Sequence, residues 1–244
     1  MPGKFLGTIK RVVTTIGISD PRPNTYLAKL FHKPRYDEII SIVKKYMGNT
    51  IEILVDVGCG RGALYELLSK AGVKVDLYVC CDIQMSYLRK IEGERVERIL
   101  CDAHNLPFKE GAADLVVCSE VLEHLERPLK ALYNILYVAR ERVLITFPNE
   151  KIKNALGFRY PEHISEIELN TVVYFADYLD YKVELYKRLY FAFPPSILDK
   201  MFEFSHQKLK FFSAFLGVLS SLLREFCLIK TEILLLEKKI KKKS

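Results

Sequence analysis

No apolar run of about 18 residues occurs in this 244-residue sequence, so nothing in it reads as a membrane-spanning helix. The N-terminal stretch lacks the continuous apolar core of a secretory signal. There is no C-x-x-C pair. The six cysteines are Cys59, Cys80, Cys81, Cys101, Cys118 and Cys227, and most fall inside apolar runs. That placement suits reduced, buried small hydrophobes, not a disulfide or zinc framework. These absences predict a cytoplasmic protein with no metal site. The net charge of +7 permits a nucleic acid or an anionic membrane as partner without requiring either. Part of the excess sits in Lys238, Lys239, Lys241, Lys242 and Lys243, which read as a solvated tail. Half the residues are hydrophobic, enough for one sizeable core in one elaborated domain.

What is present is organised around Leu54 to Leu64. The apolar run Ile51, Ile53, Leu54 and Val55 predicts a strand buried on both faces. It breaks into Gly58, Gly60 and Gly62, then continues as a helix through Leu64, Leu67 and Leu68 to Gly72. Glycine suits a turn that a ligand must approach closely, and the helix N-terminus offers free N–H groups. Gly58-x-Gly60-x-x-Ala63 fits the dinucleotide fingerprint. Asp56-x-Gly58-x-Gly60-x-Gly62 also fits D-x-G-x-G-x-G, the pattern of methyltransferases that use S-adenosylmethionine. An acid at position 56 suits a ligand with a cationic end. A plain βα turn with packing glycines is the remaining reading.

Strands and helices alternate onward. Strands are predicted at Val73–Cys81, Ile99–Cys101, Ala113–Cys118 and Val143–Phe147, with helices at Gln84–Ile91 and Pro128–Ala139 between them. That alternation predicts an α/β, doubly wound, mostly parallel sheet. Ligands in such sheets sit at the carboxyl ends of strands. The second strand ends in Asp82, the third in Asp102 and the fourth in Ser119-Glu120. Asp82 is placed to accept hydrogen bonds from both ribose hydroxyls. Asp102 can accept from the exocyclic amine of adenine, with the Ala103 N–H facing a ring nitrogen. Ile83 and Leu106 are the apolar candidates to sandwich the ring. Either acid can instead serve as a helix cap.

These residues resemble a class I S-adenosylmethionine-dependent methyltransferase, nearest the small-molecule group that includes the ubiquinone and menaquinone methyltransferases. The resemblance rests on Val55 to Gly62, Cys81-Asp82-Ile83, Cys101 to Phe108, Ala113 to Leu125 and Val143 to Asn149, and covers roughly residues 50–190. It implies a Rossmann-like seven-stranded sheet whose last strand is antiparallel, with Lys182–Tyr190 and Cys227–Ile240 as the final two strands. It implies S-adenosylmethionine as cofactor, held by Asp56, Gly58, Cys59, Gly60, Gly62, Asp82, Ile83, Asp102, Ala103, Leu106, Ser119 and Glu120. Ser119 to His124 would line the pocket beside the methionine moiety. His124, Glu120 and His163 are the candidate bases, and a structural role for His124 weighs equally.

Methyl transfer from a sulfonium is an in-line displacement that asks for alignment and exclusion of water. A base is needed only if the acceptor must lose a proton. No (Asp/Asn)-Pro-Pro-Tyr segment and no Pro-Cys nucleophile follow the fourth strand, and there is no RNP-type aromatic motif. The expected acceptor is therefore small or lipid-like. An RNA (tRNA) methyltransferase and a non-catalytic cofactor-binding or assembly protein are the alternatives.

Residues 1–49 read as an N-terminal helical extension, with Pro21, Pro23 and Pro34 forbidding a long helix before Tyr36–Tyr46. This helix would cover a sheet face or the cofactor mouth. Residues 50–190 form the core, 191–226 a helical insertion, and 227–244 the last strand with the basic tail. The insertion is apolar over Phe211–Leu223 apart from four small residues. It reads as a cap on the sheet or a homodimer interface, or else a lid over an apolar acceptor or a peripheral membrane contact.

Overall fold

The computed structural model describes residues 26–149, 162–191 and 229–239. A seven-stranded sheet runs through it in the order β3-β2-β1-β4-β5-β7-β6. The strands are β1 (Thr50–Val57), β2 (Lys74–Asp82), β3 (Val96–Leu100), β4 (Ala113–Ser119), β5 (Ala139–Pro148), β6 (Tyr181–Phe191) and β7 (Ile229–Lys238). β1 pairs in parallel with β2 and β4, β2 with β3, and β4 with β5. β7 runs antiparallel to both β5 and β6. The expected sheet, with one antiparallel strand arriving late in sequence, is the one present.

Alternation along the central strands sorts the core into two layers. Val55, Val57, Val116, Cys118, Val143 and Ile145 face one side, where α4 (Pro128–Val138) and α5 (Leu169–Tyr178) cover them with Leu132, Ile135 and Val172. Leu54, Leu115, Val117 and Leu144 face the other, under α1 (Tyr26–Met47) and α2 (Ala63–Lys70), which supply Ile39, Val43, Leu64 and Leu68. Each such fully buried side chain contributes about 1.5–3 kcal/mol. The helix α3 (Met85–Leu88) is only one turn, shorter than the periodicity predicts.

α2 stops where its sequence asks it to. Gly72 adopts φ +78°, the Gly72 N–H donates to the Ser69 carbonyl and the Val73 N–H to the Leu68 carbonyl, which is a Schellman closure.

One expectation is corrected. α1 runs through Pro34 as a single helix of 22 residues. A proline inside a helix forfeits one hydrogen bond and crowds the carbonyl four residues earlier. The turns after it are anchored by Ile39, Ile42 and Val43, each at most 2% exposed, so packing outweighs propensity. Those same residues make α1 part of the core under the sheet. Among the described residues no helix is long and apolar enough to cross a membrane. The proposed insertion at 191–226, with its lid, dimer and membrane readings, lies almost wholly outside the described residues, as does the basic tail beyond Lys239.

Candidate functional site

The glycine loop leaves β1 at the sheet's carboxyl edge. The Gly58 and Cys59 N–H groups both donate to the Cys81 carbonyl, at 2.8 and 3.0 Å, which ties the loop to the end of β2. The Gly60 N–H donates to Asp82 Oδ2 at 2.9 Å, and the Gln84 N–H to Asp82 Oδ1 at 2.8 Å. Asp82 thus holds the loop while each carboxylate oxygen keeps a second acceptor position. Gly58 and Gly60 have φ of +72° and +55°. A Cβ on Gly58 would lie 2.2 Å from Val121 Cγ2, whereas one on Gly60 would meet nothing within 4 Å. Gly58 is there for packing, and Gly60 leaves open space.

Asp56 stands one residue before the end of β1 and is 4% exposed. The Tyr78 hydroxyl donates to its Oδ2 at 2.8 Å. Burial pushes the Asp56 carboxyl up to about 7, the Tyr78 hydrogen bond opposes the rise, and the nearby Asp82 charge adds to it. Tyr78, fully buried on β2, has its own hydroxyl pushed well up, by burial first and then by Asp56. Sequence reasoning missed Tyr78, because alternation marks it only as core.

Asp102 caps the short 3₁₀ turn Ala103–Asn105. Its Oδ1 accepts the His104 N–H at 2.8 Å and lies 2.6 Å from His104 Nδ1. The backbone bond from His104 is the main reason its carboxyl sits below the usual range. The capping alternative is therefore realised, and the side chain still reaches solvent, at 45% exposure. Ala103 and Leu106 are packed into the core, while Ile83 stands 68% exposed. Of the two sandwich candidates, Ile83 alone presents a broad open face.

At the end of β4, Ser119 Oγ lies 2.9 Å from Thr146 Oγ1, which donates to Glu120 Oε1 at 3.1 Å. The Glu120 N–H donates to the Thr146 carbonyl. Glu120 has φ +55°, a left-handed conformation uncommon for a side-chain-bearing residue, so its orientation is imposed by these bonds. Its Oε2 faces Arg35 Nη1 of α1 at 3.6 Å. Beside this pair, His32 is pushed down to about 4, by burial and then by the Arg35 charge, against the pull of Glu120. Thr146, Arg35 and His32 were not foreseen. Only their fold neighbours reveal them.

His124 and His163 come together as the sequence could not guarantee. Their rings meet edge to face at 4.8 Å. The Ile164 and Ser165 N–H groups donate to the Glu123 carbonyl, which pins this segment to the Leu122–His124 turn. His124 Nδ1 is 2.8 Å from the Glu162 carbonyl. A carbonyl can only accept, so Nδ1 is the donor in this contact. Glu123, 1% exposed and missed by the sequence reading, places Oε1 4.0 Å from His124 Nε2. One ligand atom each from Glu123, His124 and His163 lies within 4.8 Å of the others, donor types that could hold a divalent cation. The expectation of no metal site did not anticipate this trio.

A cleft of about 210 Å³ opens past the end of β5, lined by Phe147, Asn149, Ile167, Leu169, Arg188 and Glu232 among others. Glu232, 1% exposed, accepts from Asn149, Tyr186 and Arg188. Burial pushes its carboxyl up, and the bonds from Arg188, Tyr186 and Asn149 more than offset that, leaving it below the usual range.

Residues 55–147 match the sequence model of a family described as "Methyltransferase domain". An uncharacterized protein of Methanocaldococcus jannaschii is 28% identical over 181 residues, which is 69% of this chain and 75% of that one. The mitochondrial ubiquinone biosynthesis O-methyltransferase of Schizosaccharomyces pombe is 24% identical over 152 residues, 58% of this chain and 54% of its own length. This chain thus spans about half of that relative. The magnesium protoporphyrin IX methyltransferase of Synechocystis PCC 6803, solved with bound SAH, shares the fold at TM-score 0.61 and 14% identity over 88% of each chain. Glycine loop, strand-end acids and sheet order agree with that match, so residues 55–147 resemble a methyltransferase domain and the whole described sheet shares the fold of solved methyltransferases.

Proposed function

We propose that this chain binds S-adenosylmethionine and passes its methyl group to a small or lipid-like acceptor. The observation that carries the reading is the joint between the glycine loop and Asp82, with open space at Gly60 and a buried carboxyl at Asp56 on the adjacent strand. The residues fit the cofactor's parts. Asp82 would accept from the ribose hydroxyls, Asp102 from the adenine amine, and Asp56 would face the ammonium. When bound, the cofactor supplies a methyl group already activated by the positive sulfur. The chain's own task is to align the acceptor and keep water away. Calorimetry with S-adenosylmethionine tests the binding. Transfer of a labelled methyl group into the solvent-extractable fraction of a cell extract tests the acceptor class. Label confined to RNA would replace it with the RNA reading, and no binding at millimolar cofactor would sink both.

Asp56 gives this binding a pH dependence. Its folded-state carboxyl titrates near 7, above the ordinary 3.8, so folding favours the protonated form. Below about 4 both folded and unfolded states are protonated and the contribution to stability is whole. It is lost as pH rises from there through 7. A cationic ligand needs the carboxylate. Affinity should therefore fall about tenfold per unit below pH 7, and binding at pH 6 should release a proton, read as a buffer-dependent heat. In Tyr78→Phe the restraining hydrogen bond is gone, and the midpoint should move upward. A midpoint unchanged in that variant would remove Asp56 from the ligand.

His124 is the proposed base, with Nδ1 engaged by the Glu162 carbonyl and Nε2 as the atom that would take the proton. His124→Ala should lower turnover by roughly 10²–10⁴ with cofactor affinity unchanged, if the acceptor loses a proton. The trio of Glu123, His124 and His163 favours a second reading, in which a divalent cation takes the acceptor's oxygens. Turnover lost to a chelator and restored by Mg²⁺ or Mn²⁺ would select it, and turnover indifferent to a chelator leaves His124 acting alone.

A further inference from the structure

The described cysteines gather at the carboxyl ends of β1 to β4, all as free thiols. They form two hydrogen-bonded pairs. Cys59 of the glycine loop meets Cys80, and Cys81 meets Cys101. Cys80 and Cys81 are neighbours on β2, so alternation sends the two pairs to opposite faces of the sheet.

The pairs differ in their access to solvent. Cys59 and Cys80 are both buried. In the other pair Cys81 is buried and Cys101 is half-buried. They also differ in charge state. The bond to Cys80 and burial hold the Cys59 thiol well above its ordinary range. In the second pair Cys81 keeps its proton and donates to the Cys101 sulfur. That bond holds the Cys101 thiol below the ordinary range, against its burial and the charges of Asp102 and Asp82. A half-open thiol that favours its thiolate, with a second thiol touching it, is the arrangement of an oxidisable cysteine and its resolving partner.

Position says what the pair controls. Cys81 immediately precedes Asp82, and Cys101 immediately precedes Asp102. The Cys101 N–H donates to the Asp82 carbonyl at 3.1 Å, just past the last register pair Asp82↔Leu100. Bonded sulfurs stand about 2.05 Å apart, closer than any hydrogen-bonded pair. A bond between these two would draw the chain after β3 against β2 and shift both acids.

We infer that Cys81 and Cys101 form an oxidisable dithiol, a modification site at which a peroxide switches off the adenosine half of the cofactor site. The switching rests on the cofactor reading above, whereas the oxidation does not. With hydrogen peroxide, the Cys101 thiolate attacks one oxygen, the O–O bond breaks and hydroxide leaves. Cys101 becomes a sulfenic acid. The Cys81 sulfur then displaces its hydroxyl, which departs with the Cys81 proton as water, and the S–S bond forms. The two thiols lose two electrons, and the peroxide gains them and ends as water.

The test treats the full chain with hydrogen peroxide, maps disulfides by peptide mass and measures S-adenosylmethionine binding by calorimetry. Wild type should show a Cys81–Cys101 disulfide. Its affinity should fall roughly tenfold or more, the loss of one charge-assisted hydrogen bond, and return with dithiothreitol. Reduced Cys101→Ser should bind as wild type does and ignore peroxide. In Cys81→Ala the donor and the resolving thiol are both gone. Alkylation of Cys101 by iodoacetamide should then need a higher pH, and peroxide should leave a sulfenic acid that dimedone traps. That variant carries the readout if Cys101→Ser does not fold. A disulfide between Cys59 and Cys80 instead, or a Cys101 that peroxide leaves untouched, would overturn the assignment. A mapped Cys81–Cys101 bond with unchanged affinity would overturn the switch. If reduced wild type binds no S-adenosylmethionine, the cofactor reading fails and the switch with it, while the mapped bond still decides the dithiol.

Discussion

Replacing Asp82 with Ala is expected to weaken S-adenosylmethionine binding on the order of a hundredfold or more, measured as a dissociation constant by calorimetry. Two contributions add. The ribose hydroxyls lose charge-assisted acceptors, each worth roughly 1.5–3 kcal/mol. The Gly60 and Gln84 N–H groups lose the carboxylate that fixes them, so the loop is less well shaped before any ligand arrives. Asp82→Asn separates the two. Its amide oxygen can still accept from Gly60, and its amide nitrogen cannot replace the second acceptor. It should bind better than Asp82→Ala and worse than wild type. A dissociation constant unmoved in both variants would withdraw the ribose assignment.

The second large effect contrasts two glycines of one loop. Gly58→Ala places a methyl group 2.2 Å from Val121 Cγ2 at φ +72°. Left-handed backbone costs a residue with Cβ about 1–2 kcal/mol, and overpacking adds about 1–3 kcal/mol. At roughly 2–4 °C per kcal/mol for a chain of this size, Tm should drop by about 5–20 °C. Adding Val121→Ala should recover the overlap portion and leave the backbone portion. Gly60→Ala meets nothing, so only the backbone cost applies and Tm moves by a few degrees. Its cofactor affinity should fall sharply, because the new methyl occupies the space a ligand uses. Thermal shift with and without cofactor distinguishes the pair. If Gly60→Ala binds as wild type does, the open side of the loop is not where the ligand lies.

How much of this was legible in the sequence follows the range of each interaction. The glycine loop, the acids at strand ends and the sheet were readable, because strand, turn and helix signals are local and the carboxyl edge gathers whatever ends a parallel strand. The helix through Pro34 was misjudged. A local rule about proline lost to the packing of Ile39, Ile42 and Val43 against a sheet the sequence does not display. Tyr78 was invisible for the opposite reason: its alternation is that of an ordinary core residue, and only the register Asp56↔Cys80 brings its strand beside Asp56. Arg35 and Glu123 depend on contacts between distant segments, α1 with the end of β4, and residues 162–165 with the turn after it. Asp102 was read with two uses. The His104 contacts fill the capping one, and the open part of its carboxylate remains for the other.

The place of β7 between β5 and β6 has a consequence for how the chain reaches this state. β5 and β6 share no hydrogen bonds, and each pairs only with β7 on that side. Until β7 slots in, β5 presents an unpaired edge carrying Val143, Leu144, Ile145 and Phe147. Such an edge is a template for wrong partners. The pairing that closes it joins segments far apart in sequence, which slows its arrival. A partly folded species built from β1 to β5 should therefore accumulate during refolding and be the form most prone to aggregate. Its lifetime is set by how quickly one distant strand finds its slot.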